Sequence, residues 1–130
     1  MFKLAISIFM ILHGLVHLLY VGQSQRVFEL QSGMVWPDGS WTFSRIMGDE
    51  TTRLVASVFL VLAAIGFVVS GAGLYFEQAW WRTAVAGVSV FSSIIYIVMW
   101  NGKMQHLDNQ GAIGILINIA LIVVAVVAKF

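Results

Sequence analysis

Four long apolar runs dominate this chain, and none of them contains Asp, Glu, Lys or Arg. They extend over residues 4–22, 54–76, 83–100 and 111–128. A hydrophobic run of about 20 residues is long enough to cross the core of a bilayer as a helix. Strands do not fit, because the runs lack two-residue alternation and an open sheet leaves backbone groups unpaired in lipid. The sequence therefore predicts an all-α membrane protein, a bundle of four transmembrane helices.

The composition supports the same location and excludes several functions. Hydrophobic residues make up 60% of the 130 residues and charged residues 10%, whereas soluble proteins average roughly 45–50% and 25%. The formal net charge is +1, which provides no basic surface for nucleic acid. Cysteine is absent, which excludes disulfides, thiolate metal sites and iron–sulfur clusters.

We predict a single integral membrane domain over residues 1–130, with helices at about 4–22, 50–76, 83–100 and 111–128. The second helix is extended to residue 50 because Asp49 is a suitable N-cap and Glu50 favours a first turn. Residues 23–49 form the sizeable extramembrane loop between the first two helices.

The distribution of Lys and Arg predicts the orientation. The terminal side has three basic residues in very short segments, and the loop side has four in longer ones; these are Lys3, Arg82 and Lys129 against Arg26, Arg45, Arg53 and Lys103. Because charges in short segments next to the helix ends count most, we expect both termini in the cytoplasm.

Within the loop, residues 34–43 read as strand, turn and strand. Pro37, Asp38 and Gly39 have the residue types of a tight turn, and bulky apolar residues flank them. Trp36 and Trp41 would then face each other across a small hairpin. Since a two-stranded hairpin is marginal alone in water, we expect it to rest on the helix ends or the membrane interface.

Polar side chains inside a span usually face the interior of the bundle. His13 and His17 are four residues apart on one face of the first helix, and Ser89, Ser92, Ser93 and Tyr96 form a stripe on the third. Matching residues by depth in the bilayer gives one candidate ligand-binding site, composed of His13, His17, Tyr20, Ser93, Tyr96 and Asn118.

This site has a functional and a structural interpretation, and the sequence leaves both open. Intramembrane histidines are candidates for function, whereas a histidine bonded to Ser or Tyr is also a stable core motif. His106, alone in a polar loop, is expected to be a surface residue. No catalytic residue and no metal site is assigned.

The cofactor alternatives differ in what they require. Haem is disfavoured because its axial ligands lie on opposite sides of the iron, whereas His13 and His17 share a helix face. A quinone requires only an apolar slot with aromatic walls and one or two donors, which His, Tyr, Ser and Asn can supply. The cofactor is therefore unassigned, with a quinone compatible.

Residues 13–22, with the sequence HGLVHLLYVG, resemble the first helix of DoxX-like bacterial membrane proteins, which are small four-helix proteins. Trp80-Trp81 and Trp100-Asn101-Gly102 are similar to segments of the same broad group. His17 stands where those proteins often have Lys. Some members are subunits of thiosulfate:quinone oxidoreductases, so the resemblance implies a bacterial cytoplasmic membrane and a redox- or quinone-linked complex.

Together these features favour an accessory or assembly subunit of a membrane complex, not catalytic on its own, with a possible ligand pocket near the histidines. The expected partners are the lipid bilayer and other membrane subunits or further copies of the chain. A small homodimeric transporter or channel is the alternative, and an enzyme using the histidine pair is a third hypothesis.

Overall fold

Four α-helices make up most of the computed structural model, which describes residues 1–105 and 107–130. They are α1 (Phe2–Ser24), α2 (Phe43–Tyr75), α3 (Trp81–Val98) and α4 (Ala112–Val127), and a short 3-10 helix, Leu107–Gln110, precedes α4. The bounds of α1, α3 and α4 differ from the predicted ones by one or two residues. The prediction for His106 lies outside the described residues.

Helix α2 begins earlier than the sequence predicted. Its first residues form a short helical segment that ends at Gly48, whose φ of 77° and ψ of 169° change the direction of the chain. Thr42 is the N-cap of this first segment, and the long segment begins after Gly48, close to the predicted start at residue 50. Asp49, the predicted N-cap, lies at that point, and its carboxylate accepts a hydrogen bond from the backbone N–H of Gly39 at 2.9 Å, so it anchors the loop.

The loop between α1 and α2 has no strand among its described residues, so the predicted hairpin is wrong. The chain does turn at residues 36–39. However, the backbone carbonyls that a second strand would bond to accept hydrogen bonds from side chains instead. Gln23 Nε2 donates to Met34 O at 2.9 Å, and Arg26 Nη2 donates to Val35 O at 2.7 Å. These bonds to the end of α1 satisfy the backbone without a second strand.

The two tryptophans of the loop do not face each other. The Trp36 ring packs edge-on against Tyr20, with the centroids 5.2 Å apart, and it is only 4% exposed. Trp41 lies at the end of α3, where its indole N–H donates to Ile97 O at 2.8 Å and its backbone N–H donates to Trp100 O. Trp36 is therefore buried against the bundle, whereas Trp41 binds the end of α3 and stays partly exposed.

Asp38 fixes the loop to the helices. Its carboxylate lies 2.8 Å from Arg26 Nη2 and 2.9 Å from Arg53 Nη1, and Arg53 belongs to α2. Ser40 and Thr42 add hydrogen bonds to Val98 O at the end of α3. The loop is thus joined to three helices and forms a cap over this end of the bundle.

The helices pack in chain order, α1 on α2, α2 on α3 and α3 on α4. Glycine allows the backbones of α1 and α2 to approach closely. A Cβ on Gly71 would lie 2.7 Å from Ser7 O, and one on Gly14 would lie 2.8 Å from the Cβ of Phe67. Small residues at such contacts are typical of helix packing in membranes, where dispersion forces replace the hydrophobic effect.

The ends of the chain meet opposite the cap. The rings of Phe2 and Phe130 are 5.9 Å apart, and Lys3 pairs with Glu77 after α2. The Lys3 ammonium lowers the pKa of the Glu77 carboxyl below its usual value. The guanidinium of Arg82 donates to Ala128 O and to Phe130 O at 2.7 and 2.8 Å, which holds the C-terminal end of α4 against α3.

Three of the helices, α1, α2 and α3, are long and apolar enough to cross a membrane. Helix α4 has 16 residues, which is about 24 Å at a rise of about 1.5 Å per residue, less than the hydrocarbon core of about 30 Å. Large apolar side chains are exposed along all four helices, for example Leu12, Leu62, Ile94 and Leu116. The chain is therefore suited to lipid, although length alone does not make α4 a span.

Substituting the two glycines Gly71 and Gly87 by alanine tests the close packing. Gly71→Ala should lower the free energy of unfolding by about 1–3 kcal/mol, because the new Cβ meets the fixed backbone of α1. Gly87→Ala is the matched control, since nothing lies within 4 Å of its Cβ position; it should be neutral or stabilising. Denaturant titration in detergent micelles measures both. Equal effects would contradict the packing of α1 on α2.

Candidate functional site

Two histidines of α1 lie at the centre of the bundle. His13 is 7% exposed and His17 is fully buried. Because they are four residues apart, both project from the same face of α1. Through them α1 is hydrogen-bonded to α3 and α4.

Four hydrogen bonds link the two histidines, Ser92 of α3 and Asn118 of α4 to one another. His13 Nε2 lies 2.8 Å from Asn118 Oδ1, and Asn118 Nδ2 donates to Ser92 Oγ at 3.1 Å. Ser92 Oγ lies 2.7 Å from His17 Nε2, and His17 Nδ1 lies 2.9 Å from the backbone O of His13. These bonds form a closed ring, and we call His13, His17, Ser92 and Asn118 the polar circuit.

The acceptors fix where each proton of the polar circuit lies. A backbone carbonyl only accepts, so His17 carries its proton on Nδ1 and its Nε2 accepts from the Ser92 hydroxyl. The Asn118 oxygen also only accepts, so His13 carries its proton on Nε2. A second proton on either imidazole would put a lone charge within a membrane span, where it is costly. Both imidazoles are therefore neutral, in opposite tautomers.

The same reasoning fixes the side-chain amide of Asn118. If its oxygen and nitrogen were exchanged, the Ser92 proton would go to Asn118. His17 would then need a proton on each nitrogen to keep both of its bonds, and a lone cation within a membrane span is costly. The observed orientation keeps the centre of the bundle uncharged.

Ser93 completes the hydrogen bonding of Asn118. Asn118 Nδ2 donates its second hydrogen to Ser93 Oγ at 3.1 Å, and Ser93 Oγ donates to Ser89 O at 2.8 Å. The amide thus uses both of its hydrogens and its oxygen. A polar group inside a membrane needs a partner for each of its hydrogen-bonding atoms, because no water is present to supply one.

Aromatic rings surround the polar circuit and continue to the cap. Phe67 of α2 contacts both imidazoles, with centroid distances of 4.7 Å to His13 and 5.1 Å to His17. On the cap side, the Tyr96 ring lies 5.9 Å from His17 and 6.0 Å from Trp36. The rings link the buried histidines to the extramembrane loop.

The structure places the six candidate residues in two groups. His13 and Ser93 are hydrogen-bonded directly to Asn118, and His17 is connected to Asn118 through Ser92. The other two are aromatic neighbours: Tyr96 contacts His17, and Tyr20 contacts Tyr96 at 5.3 Å.

Three residues of the site were not in the predicted set. Ser92 was in the predicted polar stripe and could have been included, since its depth matches that of Asn118. Phe67 carries no polar signal in an apolar run. Trp36 was assigned to the hairpin, and its place in the bundle depends on the loop structure that the sequence did not reveal.

Two adjoining pockets lie at the cap end, next to Tyr96. The groove, of about 310 Å³, lies between α3 and α4 and is almost entirely apolar; its lining includes Tyr96, Trp100, Met104, Leu107, Gln110 and Ala112. The polar pocket, of about 170 Å³, is lined among others by Val35, Trp36, Asp38, Asn101, Lys103 and Gln110. Neither histidine lines either pocket. These two pockets are therefore separate from the imidazoles, and Tyr96 lies between the groove and His17.

Comparison with protein-family models, with curated proteins and with solved structures gives no match for this chain. The resemblance to DoxX-like proteins therefore stays a prediction from the sequence.

The proton positions of the polar circuit can be measured directly. In protein labelled with ¹⁵N-histidine and reconstituted in lipid nanodiscs, we expect the Nε2–H tautomer for His13 and the Nδ1–H tautomer for His17 at neutral pH. The reason is that each imidazole faces one group that can only accept. NMR chemical shifts of the ring nitrogens distinguish the tautomers. The same tautomer at both positions, or a charged imidazole, would reject the assignment.

The two serines offer a matched pair of variants. Ser92→Ala should leave both His17 Nε2 and one Asn118 hydrogen without partners, and we expect a loss of about 1–2 kcal/mol in unfolding free energy. Ser93→Ala removes one acceptor for Asn118, so its loss should be smaller, about 0.5 kcal/mol. Denaturant titration of both variants in the same detergent gives the comparison. A larger loss for Ser93→Ala would show that Ser92 is not the link between the helices.

Proposed function

We propose that this protein is an accessory or assembly subunit of a membrane complex, with a pocket for a lipid-soluble ligand near the histidine pair. The observation that carries the proposal is a set of apolar side chains exposed on the cap. Val27, Val35 and Ile46 are 75%, 59% and 79% exposed, and all lie outside the apolar runs. Exposed apolar side chains outside the spans are candidates for contact with another protein.

We call Val27, Val35 and Ile46 the cap surface, and the structure around it is well fixed. Arg26 and Arg53 hold Asp38 between them. The backbone N–H of Asp38 also donates to Val35 O at 2.9 Å. A surface held in place before binding loses less conformational entropy when a partner docks. The cap is thus suited to a stable subunit contact.

The polar circuit supports a role that is not catalytic on its own. Both ring nitrogens of His17 and Nε2 of His13 are used in bonds between helices. A general base needs a nitrogen within reach of a substrate proton, whereas these nitrogens face Asn118, Ser92 and the backbone. In this proposal the histidines therefore stabilise the contacts of α1 with α3 and α4.

The groove is the ligand pocket of this proposal. Its volume of about 310 Å³ is near the lower end of the range for small-molecule sites. Tyr96 and Trp100 supply aromatic walls, and Gln110 supplies an amide at one end. A quinone or a lipid has the required apolar character, and the resemblance to DoxX-like proteins suggests a redox- or quinone-linked complex.

We further propose that α4 is a fourth span, with both termini in the cytoplasm of a bacterial cytoplasmic membrane. The contact between Phe2 and Phe130 supports an even number of crossings, because it brings the two termini to one end of the bundle. A helix of about 24 Å can span if the bilayer thins locally, at a modest cost per ångström.

Extraction of the native membrane with a mild detergent tests the accessory role. We expect the protein to migrate with at least one different polypeptide. The double variant Val27→Ala/Ile46→Ala should lose that partner, because it removes apolar contact area from the cap surface. Its thermal unfolding should be unchanged, since both side chains are exposed. Affinity purification followed by mass spectrometry identifies what is retained.

The control variant for this experiment is Leu12→Ala/Leu116→Ala, which trims two side chains that are 55% and 66% exposed within the predicted spans. It should keep the partner. Equal loss in both double variants would contradict docking on the cap. A protein recovered only as a homodimer that transports a solute in liposomes would support the alternative, a small transporter or channel.

Single cysteines test the topology, because the natural chain has none. Ser32→Cys lies in the loop, Gln78→Cys follows α2 and Lys129→Cys follows α4, and all three positions are exposed. With an impermeant thiol reagent, Gln78→Cys and Lys129→Cys should react from the same side of the membrane and Ser32→Cys from the other. Reaction of Ser32→Cys and Lys129→Cys from one side would exclude four spans.

A further inference from the structure

The groove and the polar pocket adjoin each other and differ in chemistry. Gln110 lines both of them, and the rings of Tyr96 in the groove and Trp36 in the polar pocket are 6.0 Å apart. Lys103 lines the polar pocket, whereas the next residue, Met104, lines the groove. An apolar slot and a polar recess that share a border form a site for a molecule with a polar head and an apolar tail.

Lys103 supplies a positive charge to the polar pocket. Among the described residues, no carboxylate forms an ion pair with it. Asp38 also lines the pocket, but its charge is compensated by Arg26 and Arg53 at 2.8 and 2.9 Å. Glu29 lies at the rim, where it accepts the backbone N–H of Gly33. Lys103, next in sequence to the groove residue Met104, thus presents an ammonium group that no carboxylate of the described residues pairs with.

The backbone around Lys103 is held in place. Its N–H donates to Asn101 Oδ1 at 2.9 Å, and its carbonyl accepts the indole N–H of Trp100 at 2.8 Å. Trp100 itself lines the groove. Tryptophan is enriched at the level of the lipid headgroups, so Lys103 and the polar pocket lie at the depth where the phosphate of a phospholipid is found.

We propose that the groove and the polar pocket together bind one phospholipid, with its phosphate against Lys103 and an acyl chain in the groove. This inference rests on the proposed ligand pocket and names its ligand class. A phosphate compensates the ammonium charge and accepts its hydrogen bonds. The carbonyl of a quinone is neutral and would leave the charge of Lys103 without compensation.

Native mass spectrometry of the full chain tests the proposal. Protein delipidated in detergent is titrated with phosphatidylglycerol or phosphatidylethanolamine, and the bound fraction is counted. Lys103→Gln should bind phospholipid about tenfold more weakly, the effect expected for the loss of one hydrogen bond to a charged group. Lys129→Gln, an exposed lysine beyond α4, is the matched control and should bind like the natural chain.

A second pair of variants tests the acyl chain. Ala112→Phe fills the groove and should prevent stable binding of phospholipid, whereas Ala120→Phe adds the same side chain on the exposed face of α4 and should not. Thermal unfolding of each variant shows that the bundle is intact. Dependence on Ala112 with indifference to Lys103 would overturn the phosphate contact.

The outcomes separate this inference from the proposed function. If a short-chain quinone binds, is blocked by Ala112→Phe and is insensitive to Lys103→Gln while phospholipid is not retained, the inference is wrong and the ligand pocket stands. If neither molecule responds to Ala112→Phe, the ligand pocket itself is wrong. The accessory role is judged by Val27→Ala/Ile46→Ala, and neither of these two residues lines the groove or the polar pocket.

Discussion

The hydrogen bond between His13 and Asn118 joins the first helix of this bundle to the last. Helix α1 packs along α2, and α4 packs along α3, so backbone packing alone would leave two pairs of helices joined only between α2 and α3. The histidine side chains bridge the remaining gap. Because lipid offers no hydrogen-bond partner, the residues of the circuit bond to one another and to Ser93. The arrangement of all four helices depends on that constraint.

The cap is held together by a different kind of contact, because water competes for the hydrogen bonds of its polar groups. There the chain is fixed by charged and backbone contacts, such as Asp38 with its two arginines and Asp49 with Gly39 N–H. In the bundle the contacts are between neutral groups and small residues. The two regions meet where the ring of Trp36, which belongs to the loop, packs against the ring of Tyr96 in α3.

Most of the helical structure could be predicted from the sequence, since apolar length and the positions of polar residues are strong signals in a membrane protein. His13, His17 and Asn118 were placed on inward faces by spacing and at one level by depth. The prediction of a hairpin was wrong because Pro, Asp and Gly favour a turn whether or not strands flank it. Whether a ladder forms depends on Gln23 and Arg26, whose bonds to the loop carbonyls no local pattern reveals.

Tyr96 connects the two parts of the molecule that the proposals treat separately. Its ring contacts His17 of the polar circuit and also lines the groove. Gly111, with a φ of 96°, lies so close that a Cβ there would overlap the Tyr96 ring, so this ring also determines how the chain enters α4. A ligand in the groove would press on the side chain that packs against the circuit and beneath the start of α4. Tyr96 is therefore the side chain through which a ligand in the proposed pocket would contact the junction between α1 and α4.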